Sequence, residues 1–329
     1  MTTVEVLTPS SREEWLAMRL LGASDVPVLL VDDHPWQTPY GLWAERRGLA
    51  PPRADTQDLR LGRYIESVAL KFLQDEKQDW VVTPNVIGEG GKLFVDRATG
   101  RSCTPDALIT DPTRGPGVCN VKKVSGHIFN KKWRNGGVAE VPVYTAIQVI
   151  QEVELTEPAW GCTWGCVAAI VLSEFGSEFH LLEVPLHPGI AARIRTEAAD
   201  FWRRVGGNDP YPPDYYRDGD LIKSIDVEAT GGEIDFSFLE VEPYNALLNL
   251  LARREALKLI EGASTDAKKE RDAIDCRLLY EFLGNAARGT LTDGRVIEAK
   301  TVRRAGYAVK PSSYRSVKIK TPKEKSAAA

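Results

Sequence analysis

The sequence predicts a mixed α/β core over residues 1–226, followed by a helical hairpin, short strands and a basic tail over 227–329. Three observations carry that expectation. The strand-like runs WVVTPNVIG, KLFVDR, CTPDALITD and GVCNVKKV follow one another between Gly and Pro turns and form an expected meander. Apolar residues at Leu61, Ile65, Val68, Ala69, Phe72 and Leu73 recur with a 3.6-residue period, which predicts a helix whose buried stripe runs beside Glu66. The Pro-rich stretch DPYPPDYYRDGD then breaks the pattern, and Tyr244 to Ile260 and Asp266 to Leu283 resume it as an antiparallel hairpin.

The remaining elements fall around these. Ser11 and Glu14 have capping-box spacing ahead of Trp15, Met18 and Leu21, so the chain should enter with a helix. Val26 to Val31 is a second apolar stretch after Ser24 and Asp25, and TPYGLWAERRGL is another short helix, ended by Pro51 and Pro52. Beyond the meander, Pro142 starts a helix over Val143 to Leu155, CTWGCVAAIVL and EFHLLEVPL are two strands, and Pro188 to Val205 returns to helical phase. Near the end, GTLTDGRVIEAKTV and SYRSVKIK are expected short strands ahead of a polar tail.

With 43% apolar and 27% charged residues, the chain has the composition of a globular protein. Its net charge of -4 excludes coating of nucleic acid by overall positive charge but permits a local basic surface. From Glu298 onward nine Lys or Arg face two acids, which suits a DNA clamp, a docking arm or a solubilising tail. No run of about 18 apolar residues exists, and the opening MTTVEVLTPSSREEW has no signal-peptide pattern, so a cytoplasmic protein without a membrane partner is expected. Five scattered cysteines predict reduced thiols, with Cys162 and Cys166 in the core rather than on a metal. The four histidines show no metal-binding spacing.

Chemistry concentrates in Thr104-Pro105-Asp106 and Cys119-Asn120-Val121-Lys122. Phosphodiester hydrolysis needs charge neutralisation at the phosphoryl oxygens and an activated water, usually through divalent cations held by carboxylates. An acid at one strand end, a second ligand on the next strand, and a lysine two residues later on the same face surround one point. Asp106 would ligate a cation, and Lys122 would orient or deprotonate the water. The bland alternatives are a turn cap for Asp106 and a solvated strand residue for Lys122.

Six ordered segments sharpen the choice. EEWLAMRLLGASDVPVLL, TPYGLWAERRG, GRYIESVALKF, CTPDALI, VPVYTAIQVIQEVELT and ADFWRRV together resemble, over residues 12–220, the YqaJ-like and lambda-exonuclease-like recombination exonucleases of phages. These belong to the PD-(D/E)xK nuclease superfamily, whose restriction-endonuclease-like core is a mixed central sheet flanked by helices. The resemblance implies a DNA exonuclease that uses Mg2+ or Mn2+, two ions in all, and works 5' to 3' from linear duplex ends. It assigns Glu66, Asp106, position 120 and the Val121 carbonyl to the cations, Lys122 to catalysis and Gln148 to support of the site. Arg19 and Ser24 match the place that holds the terminal 5'-phosphate; read plainly, they are a surface arginine and a helix N-cap. A single-strand annealing protein and further copies of the chain are the implied partners.

The chain departs from the pattern at Ala107, a mild change from glycine, and at Asn120, where the family carries an acid. An amide oxygen can face a cation but brings no charge. This predicts either an impaired nuclease or a noncatalytic DNA-end-binding protein, with a purely structural role as a third class. Lys123, Lys131, Lys132 and Arg134 around Trp133 suit a DNA backbone with a stacked base, or an ordinary solvated loop.

Overall fold

A computed structural model of the chain describes residues 3–50, 56–174, 176–225, 232–304 and 312–320. In chain order the elements are β1 (Glu5–Leu7), α1 (Arg12–Met18), β2 (Leu21–Gly22), α2 (Val26–Leu30), α3 (Pro39–Arg46), α4 (Gln57–Glu76), β3 (Val81–Pro84), β4 (Leu93–Asp96), β5 (Arg101–Cys103), β6 (Ala107–Asp111) and β7 (Gly115–Ser125). There follow α5 (Gly126–Lys132), β8 (Arg134–Asn135), β9 (Val138–Ala139), α6 (Val143–Trp160), β10 (Gly165–Ser173), β11 (Gly176–Val184), α7 (Pro188–Gly207) and α8 (Gly219–Ser224). The last described elements are β12 (Glu233–Asp235), α9 (Val241–Ile260), α10 (Thr265–Arg277), β13 (Arg288–Thr290), β14 (Val296–Arg304) and β15 (Ser312–Lys320). The chain is thus mixed α/β, and it divides into two units: residues 1–37 with 52–210, and 38–51 with 211–329.

The first unit is built on a five-stranded sheet of order β11-β10-β7-β6-β3. β6 and β7 are antiparallel across a tight turn, where the Asp111 carboxylate accepts bonds from Thr113 N, Thr113 Oγ and Arg114 N. β7 and β10 are parallel, which requires a long crossover, and α5 and α6 provide it. Period-two alternation along β7 then sorts its side chains. Cys119 and Val121 join Ala69, Leu70 and Leu73 of α4 in one buried cluster, while Asn120 and Lys122 bond to α6. The site is therefore placed on the α6 face by strand parity.

The expected meander is split. WVVTPNVIG, CTPDALITD and GVCNVKKV supply β3, β6 and β7, but the KLFVDR strand β4 pairs with β5 in a second sheet of order β1-β4-β5-β2. All four β4 residues are buried, and their ladder partners come from Glu5–Leu7 and Arg101–Cys103, so β4 has no free edge to offer β3. The predicted stripe of α4 is also corrected. Ala69, Leu70 and Leu73 are buried, whereas Leu61, Val68 and Phe72 are exposed, because the sheet covers only the edge of the stripe nearest β7 and β10.

α6 is held from several directions. Gln151 Nε2 donates to the Leu21 and Ser102 carbonyls at 3.3 and 3.1 Å, and the buried Arg101 guanidinium bonds Glu154 at 2.8 Å. Gly165 on β10 lies where the helix comes closest. A Cβ there would overlap Val149 and sit 3.0 and 3.1 Å from Val118 and Val153. Gly165→Ala should cost about 1–3 kcal/mol by overpacking, measurable as a lowered urea midpoint.

The second unit contains the predicted hairpin as α9 and α10, closed by a buried Arg254–Asp275 ion pair. A four-stranded sheet of order β12-β13-β14-β15 completes it, and β14 and β15 run nine residues each, longer than expected. Thr38 Oγ donates to Asp218 at 2.6 Å, fastening α3 beside α8. The tail 321–329, Lys310, Pro51 and Pro52, and the expected boundary at 226 lie outside the described residues. Among those described, no helix is long and apolar enough to cross a membrane.

Candidate active site

Asp106 leaves β5 for β6 under tight control. Asn85 Nδ2 donates to the Pro105 carbonyl and Asn85 N to the Asp106 carbonyl, both at 2.9 Å. The Asp106 carboxylate accepts from Val121 N at 2.6 Å, so the PD turn is pinned to the middle of β7. One residue to each side, Asn120 and Lys122 point to α6. Lys122 Nζ donates to Gln148 Oε1 at 3.1 Å, and Gln148 Nε2 donates to Glu152 Oε1 at 2.9 Å. Asn120 Nδ2 closes the chain on Glu152 at 2.9 and 3.0 Å to its two oxygens. Gln148 and Glu152 stand one helical turn apart on one face, which lets both reach β7.

Three carboxyls share this place. Burial, then the nearby Asp106 charge, pushes Glu66 up to about 7, with Lys122 opposing. The same two causes push Glu152 up to about 7, against the hydrogen bonds from Gln148 and Asn120 and the Lys122 charge. Burial raises Asp106 as well, opposed by Lys122 and the Val121 N–H. Glu66 on α4, Asp106, Lys122 and Gln148 are thereby brought together as the sequence predicts. Asn120 is fully buried and its Oδ1 has no hydrogen-bond partner.

The raised values set a stability test. Unfolded, Glu66 and Glu152 titrate near 4.5; folded, they keep their protons to about 7. The folded state binds more protons in between, so its stability is greatest on the acid side and falls as pH rises from about 4.5 to about 7. Chemical denaturation without divalent cations should show a loss of about 3 kcal/mol from the buried Glu152 across that window, with a smaller, solvent-screened addition from the half-buried Glu66.

Among the described residues no three His, Cys, Asp or Glu side chains form a ready-made metal cage. Mg2+ does not ask for one: it is commonly held by one or two carboxylates, with waters and substrate phosphates completing the shell. An excess of acid over base and an unpartnered buried amide oxygen fit a hard cation.

Arg19 and Ser24 border the same place, in a cleft lined also by Trp15, Thr104, Gln148 and Glu152. Arg19 ends α1, lies over the Trp15 ring at 5.1 Å, and donates to Asp25 at 2.7 Å and to Ser24 Oγ at 3.3 Å. Trp15 Nε1 in turn donates to Thr104 Oγ at 2.9 Å, tying the opening helix to the PD turn. The N-cap of α2 is Asp25, not Ser24.

Of the basic group at the end of β7 and beyond it, Lys131, Lys132 and Arg134 are exposed, and Lys123 pairs with Asp58. Trp133 is not a stacking surface for a base. It is 2% exposed and stacked on Phe129, because it caps α5 and turns inward while its basic neighbours turn out. The aromatic the sequence reading missed is Trp36, 73% exposed, packed edge-on against His34 and Tyr144. These three line a cavity of about 360 Å3 that reaches Lys122, Lys123 and Gln148. Glu152 was also missed; its only sequence signal was the four-residue spacing from Gln148.

All five cysteines are free and buried. No family model and no curated protein matches the chain. Among solved structures it is similar to an alkaline exonuclease from Laribacter hongkongensis, with 18% identity and a TM-score of 0.43 over 60% of this chain and 94% of that one. A structure of that exonuclease with dAMP matches at 18% identity and a TM-score of 0.45, with the same shares covered.

Proposed function

We propose that the first unit is a cation-dependent deoxyribonuclease that degrades linear duplex DNA from its ends, 5' to 3', as the sequence resemblance implies. The observation that carries the proposal is the meeting of Glu66, Asp106, Lys122 and Gln148, from α4, the β5–β6 turn, β7 and α6: Lys122 bonds Gln148, Asp106 bonds the Val121 N–H beside Lys122, and the Asp106 and Lys122 charges both act on Glu66. Asp106, Glu66 and the Val121 carbonyl would hold Mg2+ or Mn2+, two ions in the full reading. Bound there, such a cation neutralises phosphoryl charge and makes a water nucleophilic near neutral pH. Lys122, steadied by the side-chain amide oxygen of Gln148, would orient or deprotonate the attacking water. Arg19 and Ser24 receive the terminal 5'-phosphate, an arginine fork and a hydroxyl being suited to a dianion. The exposed Lys131, Lys132 and Arg134 would take the DNA backbone. The product would be a 3' single strand for an annealing protein, with homo-oligomers as a further expected assembly.

Gly22 makes the phosphate subsite possible. A Cβ at this position would fall 2.7 Å from Arg19 Nε and still closer to the guanidinium tip, which Asp25 and Ser24 hold in place. Gly22→Ala should displace Arg19 and reduce the preference for 5'-phosphate over 5'-hydroxyl ends by about tenfold, one charge-assisted hydrogen bond's worth, in paired kcat/KM measurements.

Asn120 favours a second reading, a protein that grips DNA ends without cutting them, since it brings no charge to a ligand position. A duplex labelled at one 5' end and, separately, at one 3' end tests the main proposal. Early Mg2+-dependent release of the 5' label is expected; early release of the 3' label alone refutes the polarity, and binding with no release supports the second reading.

A further inference from the structure

We infer that Glu152 of α6 takes over the charge that Asn120 lacks and is a further carboxylate of the cation centre, beside Asp106 and Glu66, with Asn120 as its hydrogen-bonded holder. The inference rests on the cation-centre reading above and goes beyond it, because no part of the PD…NxK pattern includes this residue. Glu152 is 1% exposed, and both its oxygens accept from Asn120 Nδ2, at 2.9 and 3.0 Å. A carboxylate in that bidentate position sits within one side-chain contact of residue 120. An acid at 120 would place two carboxylates in contact in the interior, a like-charge pair that cannot ionise together without a cation between them. Acid on the helix and amide on the strand is the complementary arrangement.

A second observation points the same way. The other end of the Asn120 amide, Oδ1, is fully buried and has no partner. A buried acceptor left unpaired is costly, and this one belongs to the same amide that holds Glu152. A hard cation beside Glu152 would give it a partner. The backbone of Glu152 is itself fixed, its carbonyl accepting from Thr156 Oγ at 2.7 Å, so the carboxylate is delivered by a rigid turn of helix.

The test is Mn2+ binding to the full chain by calorimetry, in wild type, Asp106→Asn, Glu152→Gln, and the exchange Asn120→Asp with Glu152→Gln. Glu152→Gln should weaken Mn2+ at least tenfold, and the exchange should recover it to within about threefold of wild type, since the acid is returned to the strand. If Asp106→Asn loses Mn2+ but Glu152→Gln binds like wild type, the inference is overturned and the nuclease reading stands. If Glu152→Gln weakens binding and the exchange does not recover it, Glu152 is a packing residue and the inference is again overturned. If Asp106→Asn leaves Mn2+ binding unchanged, the cation centre itself is misplaced and both readings fall. Should Glu152→Gln not fold, Fe2+ with ascorbate and peroxide on the wild-type chain decides, since bound iron cuts the backbone beside it. Cuts at 151–153 together with 66, 106 and 121 are expected, and cuts at 66, 106 and 121 without 151–153 contradict Glu152 as a ligand.

Discussion

Lys122→Met should lower Mg2+-dependent DNA hydrolysis by about 10³-fold, within the 10²–10⁴ that a positioned proton-transfer or orienting group supplies. Methionine keeps most of the side-chain volume and removes the ammonium. Two consequences follow from the site's charge balance. Gln148 Oε1 loses its donor, and Glu66, Asp106 and Glu152 lose the cation that opposes their upward shifts. All three should then hold protons to higher pH, which makes them poorer ligands. The measurement is single-turnover hydrolysis across pH 6–9, in which the loss should shrink only slightly on the alkaline side.

Asp106→Asn should separate stability from activity with opposite signs. An amide oxygen can still accept from Val121 N, so the PD turn keeps its tie to β7. What disappears is the negative charge that raises both Glu66 and Glu152. Without it those carboxyls ionise more easily in the folded state, and the cation-free protein at pH 8 should gain about 1 kcal/mol, or roughly 2–4 °C in Tm. Activity should fall by about 10³-fold, because the acid proposed as the cation's central ligand is gone. A variant more stable than the parent and nearly inert is the signature of strain kept for function. Scanning calorimetry in EDTA beside a nuclease assay in Mg2+ reads both.

The elements that were legible in the sequence are those whose signals are local. α6 starts at Val143 behind Pro142 as expected, and α9 and α10 appear where the hairpin was placed. Lys122 and Asn120 share a face by strand parity, and the PD turn reaches β7 as the motif requires. What was not legible depended on who pairs with whom. β4 reads as a strand, but nothing in KLFVDR says that its partners are Glu5–Leu7 and Arg101–Cys103. Trp133 sits among lysines and looks wet, yet the end of α5 turns it onto Phe129. Glu152 is one turn beyond Gln148, but its role depends on which face of α6 meets the even residues of β7. The parallel β7–β10 crossover settles that, and no spacing in the sequence does.

The proposed hydrolysis of DNA ends by the cluster around Asp106 and Lys122 depends on a divalent cation. Its most direct test is nucleotide release from a uniformly labelled linear duplex by the full chain, titrated with Mg2+ and then Mn2+, beside Asp106→Asn and a covalently closed circle. Cation-dependent release from the linear duplex only is expected, and none above background from the variant. Equal release by wild type and Asp106→Asn, or release without a divalent cation, would contradict it.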